Sequence, residues 1–274
     1  MVNVISFPAL GITMSVDTVA FHIGPKPIYW YAIAILTGFI LAVIFCMRSA
    51  KKRGINSDYV FDIALYGLVI GIICARIYYV IFDWDSFKDS PLDIFKVWEG
   101  GLAIYGGIIG GILTAFVYCR IKKQNILEMF DICAPGLLIG QAVGRYGNFL
   151  NAEVFGKKTD CFLGMSINGA APVHPLFLYE SMWNILGLIL IIIFRDRKKA
   201  DGQVFFGYLL WYSCGRIILE GMRQPEYILY AVKDVVGISQ IVAGILIIIS
   251  ILMLFRLKKR SDNFEEALET EEEK

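Results

Sequence analysis

The chain has 274 residues, 57% of them hydrophobic and 19% charged, with a mean hydropathy of +0.62. Soluble domains run at about 45–50% apolar and about 25% charged, so this composition excludes an ordinary soluble fold and points to a membrane protein. The net charge of +1 decides nothing, because its distribution matters more than its sum in a membrane chain.

The first 27 residues, MVNVISFPALGITMSVDTVAFHIGPKP, lack the basic n-region and clear apolar core of a cleavable signal peptide. They read as an interfacial segment, with Pro25 and Pro27 marking entry into the first span. A bilayer core takes roughly 20 apolar residues per helix. Seven stretches qualify: 28–47, 59–82, 100–119, 127–147, 176–194, 203–222 and 236–255. With no internal repeat and no long linker, the expectation is one membrane domain over 1–258, including a head segment at 148–175, and an acidic tail over 259–274. The predicted fold class is an all-α polytopic membrane protein, with seven transmembrane helices and a small extracytoplasmic head.

Basic residues set the predicted orientation. RSAKKR, RIKK, RDRKK and RLKKR follow spans one, three, five and seven and hold most of the 26 Lys and Arg. The other side carries Lys26, Lys88, Lys96, Lys157, Lys158, Arg223 and Lys233. The positive-inside rule then puts the amino terminus outside and the carboxyl terminus in the cytoplasm. The tail SDNFEEALETEEEK reads as solvated or loosely helical. Outside lie the acidic segment 83–99 and the longer 148–175, where TDCFLGMSINGAAPVHP suits a short strand or hairpin module too small to fold alone.

The six cysteines form no CxxC pair and mostly sit in apolar runs, which argues against a disulfide framework or a zinc site. Two histidines, His22 and His174, exclude a histidine-rich metal centre. No cofactor or metal is expected.

Ionisable residues at membrane depth are costly and usually mark function. Gln141, Arg145 and Asn148 share one face at the outer end of span four, and Asn151 and Glu153 follow at once. Gly136, Gly140 and Gly144 form a nearby stripe that admits a second helix closely. Arg145 is either a snorkelling anchor or a phosphate ligand, since a guanidinium fork suits oxyanions. Tyr212, Arg216 and Glu220 form a stripe on span six, with Arg223 at its outer end. Arg216 and Glu220 read as a structural ion pair or as catalytic groups. In WEGGLAIYGGIIGG, two overlapping GxxxG pairs favour tight packing, and the Tyr105 phenol needs a polar partner. HPLFLYESMWN places His174 before span five, as a helix cap or a ligand, with Tyr179, Glu180 and Asn184 just inside. Tyr31 and Arg76 are further buried polar groups, and for Arg76 a counter-ion role is one reading.

Two arginines near the outer leaflet, with carboxylates and phenols around them, suit a lipid phosphate delivered from the side. The residues allow an intramembrane enzyme acting on a phospholipid, or a membrane transporter or binding protein for an anionic lipid or solute. The lack of an inverted repeat weakens the transporter reading.

The stretch GRYGNFLNAEVFG resembles the signature of the prolipoprotein diacylglyceryl transferases. The resemblance extends to YWYAIAILTGF, WEGGLAIYGG, HPLFLYES and GRIILEGMRQPE, in that order along most of the chain. It implies a seven-span inner-membrane enzyme with an extracytoplasmic head. It also implies transfer of the diacylglyceryl group of phosphatidylglycerol to the lipobox cysteine thiol of a preprolipoprotein signal peptide, releasing glycerol phosphate. No nucleic acid is implied. By motif position, the residues similar to the family's important ones are Tyr31, Arg145, Asn148, Glu153, Gly156, Tyr212, Arg216 and Glu220. Many members have histidine where this chain has Tyr105, so a histidine base there is not a general requirement. Arg145 and Arg216 would supply a positive field, with Glu153, Glu220 or Tyr105 handling the proton and Asn151 and His174 lining the substrate site.

Overall fold

A computed structural model of the chain describes residues 2–232 and 235–272. Lys233 and the last two tail residues fall outside the described residues, as do the tail side chains from 264 onward. Seven long helices dominate: α1 Trp30–Lys52, α2 Ser57–Phe82, α3 Ile104–Ile121, α4 Ile126–Leu150, α5 Leu176–Phe194, α6 Gln203–Gly221 and α7 Ile238–Glu272. Six of them, α1 to α5 and α7, are long and apolar enough to cross a membrane. The remaining helix, α6, lies outside that set and carries Arg216 and Glu220 within its 19 residues.

The helices are inverted relative to a soluble bundle. Ile185, Ile189 and Ile193 of α5 and Ile248, Leu252 and Phe255 of α7 are exposed, while Ser181, Ser213 and Ser250 are fully buried. Apolar side chains facing outward and small polar ones facing inward are what a lipid solvent selects. The chain therefore has multiple membrane-spanning helices.

Two compact units divide the chain, Met1–Ala42 with Cys133–Lys274, and Val43–Ile132. In the second unit α2 and α3 pack closely. A Cβ on Gly110 would lie 2.9 Å from Cys74 Cβ and 3.0 Å from Gly71 Cα, and one on Gly106 would lie 2.6 Å from Tyr78 Cβ. Gly106 and Gly110 are thus the working GxxxG pair, whereas Gly111 faces open space. Asn56 caps α2, its side chain accepting from the Asp58 amide at 2.9 Å. Arg76 donates to the carbonyl oxygens of Asp93, Ile94, Gly100 and Gly101 at 2.6 to 3.0 Å. It acts as a clasp on the 93–101 turns that lead into α3.

The amino-terminal segment is more ordered than an interfacial stretch. It forms two antiparallel hairpins, β1 Val2–Phe7 with β2 Ile12–Asp17, and β3 Val19–Ile23 with β4 Lys26–Tyr29. Gly11, at φ 63°, allows the first turn. The strand period buries Asn3, Ile5 and Phe7 on one face of β1. That face meets Met165, Val173 and Phe177. The expected strand in TDCFLGMSINGAAPVHP is β5, Ser166–Ile167, which extends the sheet in the order β2-β1-β5. The head segment supplies a strand and apolar residues to a core whose other half is the amino terminus. A short pair, β6 Tyr230–Val232 with β7 Val236–Gly237, precedes α7.

Candidate active site

Except for Tyr105, the candidate site residues lie in the unit formed by Met1–Ala42 and Cys133–Lys274. Its frame is the α5–α6 pair. Trp183 Nε1 donates to the Trp211 carbonyl at 3.1 Å, and Trp211 Nε1 returns a bond to the Trp183 carbonyl at 3.0 Å. The two indoles stack at 4.4 Å and 17°. Each ring lies over a glycine of the other helix: Trp211 over Gly187 and Trp183 over Gly215, where a Cβ would collide with the ring. This reciprocal clasp fixes which faces of α5 and α6 oppose one another.

Beside those faces sits a partly buried charge network. Glu180 of α5 pairs with Arg145 of α4 and lies 3.6 Å from Arg223, just past α6. Glu220 pairs with Arg216 at 3.0 Å and faces Arg223 Nε at 3.4 Å. Its other oxygen accepts from Ser239 Oγ at 2.6 Å. Three guanidiniums thus share two carboxylates, Glu180 and Glu220, which are 7% and 3% exposed. Burial, and then the charge of Arg216, pulls the Arg223 pKa below its ordinary value, while Glu220 and Glu180 act the other way. The expected Arg216–Glu220 pair is present, with one carboxylate oxygen hydrogen-bonded to Ser239 and the other ion-paired to Arg216 and Arg223.

The stretch from Gly144 to Gly156 forms the second wall. Arg145 donates to Asn148 Oδ1 at 3.4 Å, and Asn148 Nδ2 donates to Glu153 Oε1 at 3.1 Å. Asn151 Nδ2 reaches the same oxygen at 3.4 Å. Ala152 at φ 53° and Val154 at φ 55° flank Glu153 in the left-handed region. For a β-branched residue such as Val154 that conformation is a true outlier, and such strain collects at functional sites. The glycines here serve close approach. A Cβ on Gly147 would lie 2.7 Å from the Tyr31 ring, and one on Gly156 would lie 2.6 Å from His174 Cβ. Gly156 bridges Arg223 as an isolated antiparallel pair, and its amide donates to the His174 carbonyl at 2.9 Å. The glycine stripe of α4 receives α1: Gly38 approaches Gly140, and Ile35 covers Gly144.

Tyr212 joins Glu180, Asn184 and Arg216 in lining a small cleft between α5 and α6. His174 sits in a cluster with Tyr179 Oη at 3.3 Å and Cys161 Sγ at 3.9 Å. Burial lowers the pKa of His174, and the Tyr179 and Thr159 hydrogen bonds lower that of Cys161. His174 is not the cap of α5. Pro175 holds that position with no side-chain bond, and His174 contributes its backbone instead. Tyr105 belongs to the other unit, its ring 6.5 Å from that of Tyr78. The sequence reading did not give Glu180 or Arg223 a site role, although each is central to the network. The available signal was ionic: Arg223 is three residues past Glu220, and Glu180 is an acidic residue inside an apolar run.

The model of the prolipoprotein diacylglyceryl transferase family matches residues 18–256. The chain is 42% identical over 250 residues to the phosphatidylglycerol–prolipoprotein diacylglyceryl transferase of Lysinibacillus sphaericus, covering 85% of this chain and 91% of that protein. It is 40% identical over 251 residues to the enzyme of that name from Streptococcus equi subsp. zooepidemicus, covering 88% and 95%. The Streptococcus pyogenes enzyme is 40% identical over 255 residues, covering 89% and 96%. With a match of this extent over the network just described, the chain belongs to the prolipoprotein diacylglyceryl transferase family.

Proposed function

We propose that Arg145 and Arg216 hold the phosphate of phosphatidylglycerol while the thiol of a lipobox cysteine attacks the neighbouring glycerol carbon. The activity is that of the family, a phosphatidylglycerol–prolipoprotein diacylglyceryl transferase. The observation that carries the site reading is the charge count. Among the direct ion pairs, three guanidiniums face only two carboxylates, which leaves one positive charge uncompensated there, and one phosphodiester anion neutralises it.

In the reaction, the carbon–oxygen bond to phosphate breaks as the carbon–sulfur bond forms, and the leaving glycerol phosphate takes the electron pair. Fixed guanidiniums stabilise that developing charge without reorganising. A free thiol with pKa near 8.5 is only a few per cent ionised at pH 7, so its proton needs an acceptor. Glu220 is held by Ser239 and two arginines, which makes it an orienting group. Glu153, held by the neutral amides of Asn148 and Asn151, is the better proton acceptor.

On this reading Glu153→Gln removes most turnover, whereas Tyr105→Phe retains most of it. Measured in parallel, a loss in Tyr105→Phe as deep as that in Glu153→Gln would move the proton role to the phenol. The positive-inside count supports a site on the outer side of a bacterial cytoplasmic membrane, with seven spans including α6. The purified chain in detergent, given phosphatidylglycerol and a lipobox peptide, is expected to release glycerol phosphate and yield lipidated peptide. Detergent has no compartments, so product there excludes a transporter, and no product under conditions that keep the protein folded would contradict the transferase.

A further inference from the structure

We propose that Asn184 is the residue that reads the headgroup alcohol, accepting a hydrogen bond from a hydroxyl of the phospholipid. This rests on the reading above, that the cleft beside Arg216 receives a phosphodiester. Asn184 lies one helical turn after Glu180 on α5 and is 3% exposed. Its Oδ1 is buried without a hydrogen-bond partner. The side chain lines the same small cleft as Glu180, Tyr212 and Arg216. Native proteins rarely leave a buried side-chain acceptor unmatched, and such a group at a site points to a missing donor.

The chemistry of that donor follows from the neighbours. Guanidiniums only donate, so they take the oxygens of the phosphodiester. The ionised phosphodiester has no hydrogen to offer Asn184. A cationic amine headgroup would bring positive charge to a cluster that already carries an excess of it, a repulsion that selects against the wrong partner. A neutral hydroxyl on the alcohol side of the phosphate meets both conditions. Phosphatidylglycerol carries such hydroxyls on its terminal glycerol. Asn184 therefore contributes donor-lipid selectivity, while the arginines contribute phosphate affinity. A site built to pair a hydroxyl discriminates against an analogue lacking it, because the buried acceptor is then left unpaired.

The test compares two donors with the same scissile bond, phosphatidylglycerol and phosphatidylethanol, whose ethyl group has no hydroxyl. Full-length protein in detergent micelles is assayed with a lipobox peptide, and kcat/KM is taken for each donor. The unsubstituted chain is expected to favour phosphatidylglycerol by roughly tenfold or more. In Asn184→Leu, which keeps the branched shape without an acceptor, that ratio should fall to near one. Asn184→Ser, smaller but still able to accept, should keep part of it and serves where the leucine variant does not fold. A ratio unchanged in the folded variants, or no preference in the unsubstituted chain, overturns the proposal. Arg145→Ala separates this from the phosphate clamp: it should depress both donors alike and leave their ratio intact. If Arg145→Ala leaves both rates unchanged while Asn184→Leu still collapses the ratio, the clamp fails and the hydroxyl contact stands.

Discussion

Arg145→Ala and Arg216→Ala are each expected to lower kcat/KM for glycerol phosphate release by about 10² to 10³, the usual loss when one fixed donor to a developing anion is removed. The assay is the purified variant with phosphatidylglycerol and a lipobox peptide. The two variants should differ in their side effects. Arg145 is bonded to both Glu180 and Asn148, so its loss also loosens the Asn148–Glu153 arm that receives the thiol proton. Arg216 is paired with a carboxylate that keeps Ser239 and Arg223 as partners, so its loss should leave the fold nearly intact. Near-normal turnover in both variants would end the phosphate-clamp account.

The second large effect concerns Glu180. It is the shared counter-ion of Arg145 and Arg223 and is 7% exposed. Glu180→Ala leaves the buried Arg223 and the partly buried Arg145 without that carboxylate, and breaking a buried pair from one side costs about 3–5 kcal/mol. For a membrane domain this is expected to appear as a lower thermal midpoint and less protein surviving extraction. Glu180→Gln keeps the shape and hydrogen-bonding oxygen but not the charge, so its loss of stability should be smaller. A Glu180→Ala protein as stable as the parent would mean that Arg145 and Arg223 do not depend on this carboxylate.

Much of this arrangement is legible in the residues, for identifiable reasons. Helix positions follow from apolar length, and the glycine spacings at Gly106, Gly110, Gly140 and Gly144 mark where helices approach, since only glycine removes the side chain from a contact. The stripe Tyr212, Arg216, Glu220 is visible because one helical turn is nearly four residues. What the sequence hides is pairing between distant segments. The identity of Glu180 as partner to both Arg145 and Arg223 depends on three elements meeting, and nothing in the local pattern encodes it. The Trp183–Trp211 clasp is hidden in the same way: each indole looks like ordinary apolar content until its opposing glycine is known. The amino-terminal hairpins carry little local signal because β1 finds half of its core in residues 165–177, so its alternation alone looks too short to fold. The left-handed backbone at Val154 has no sequence cue, as valine is among the residues least suited to it.

Joint action of Arg145 and Arg216 on one phosphate can be measured by a double-mutant cycle on kcat/KM for glycerol phosphate release. If both guanidiniums grip the same leaving group, removing the second after the first should cost far less than removing it alone, with a coupling well outside the additivity seen for independent sites. The Arg145→Ala/Arg216→Ala protein is therefore expected to be only slightly slower than the slower single variant. Losses that simply multiply in the double variant would show that the two arginines serve separate functions.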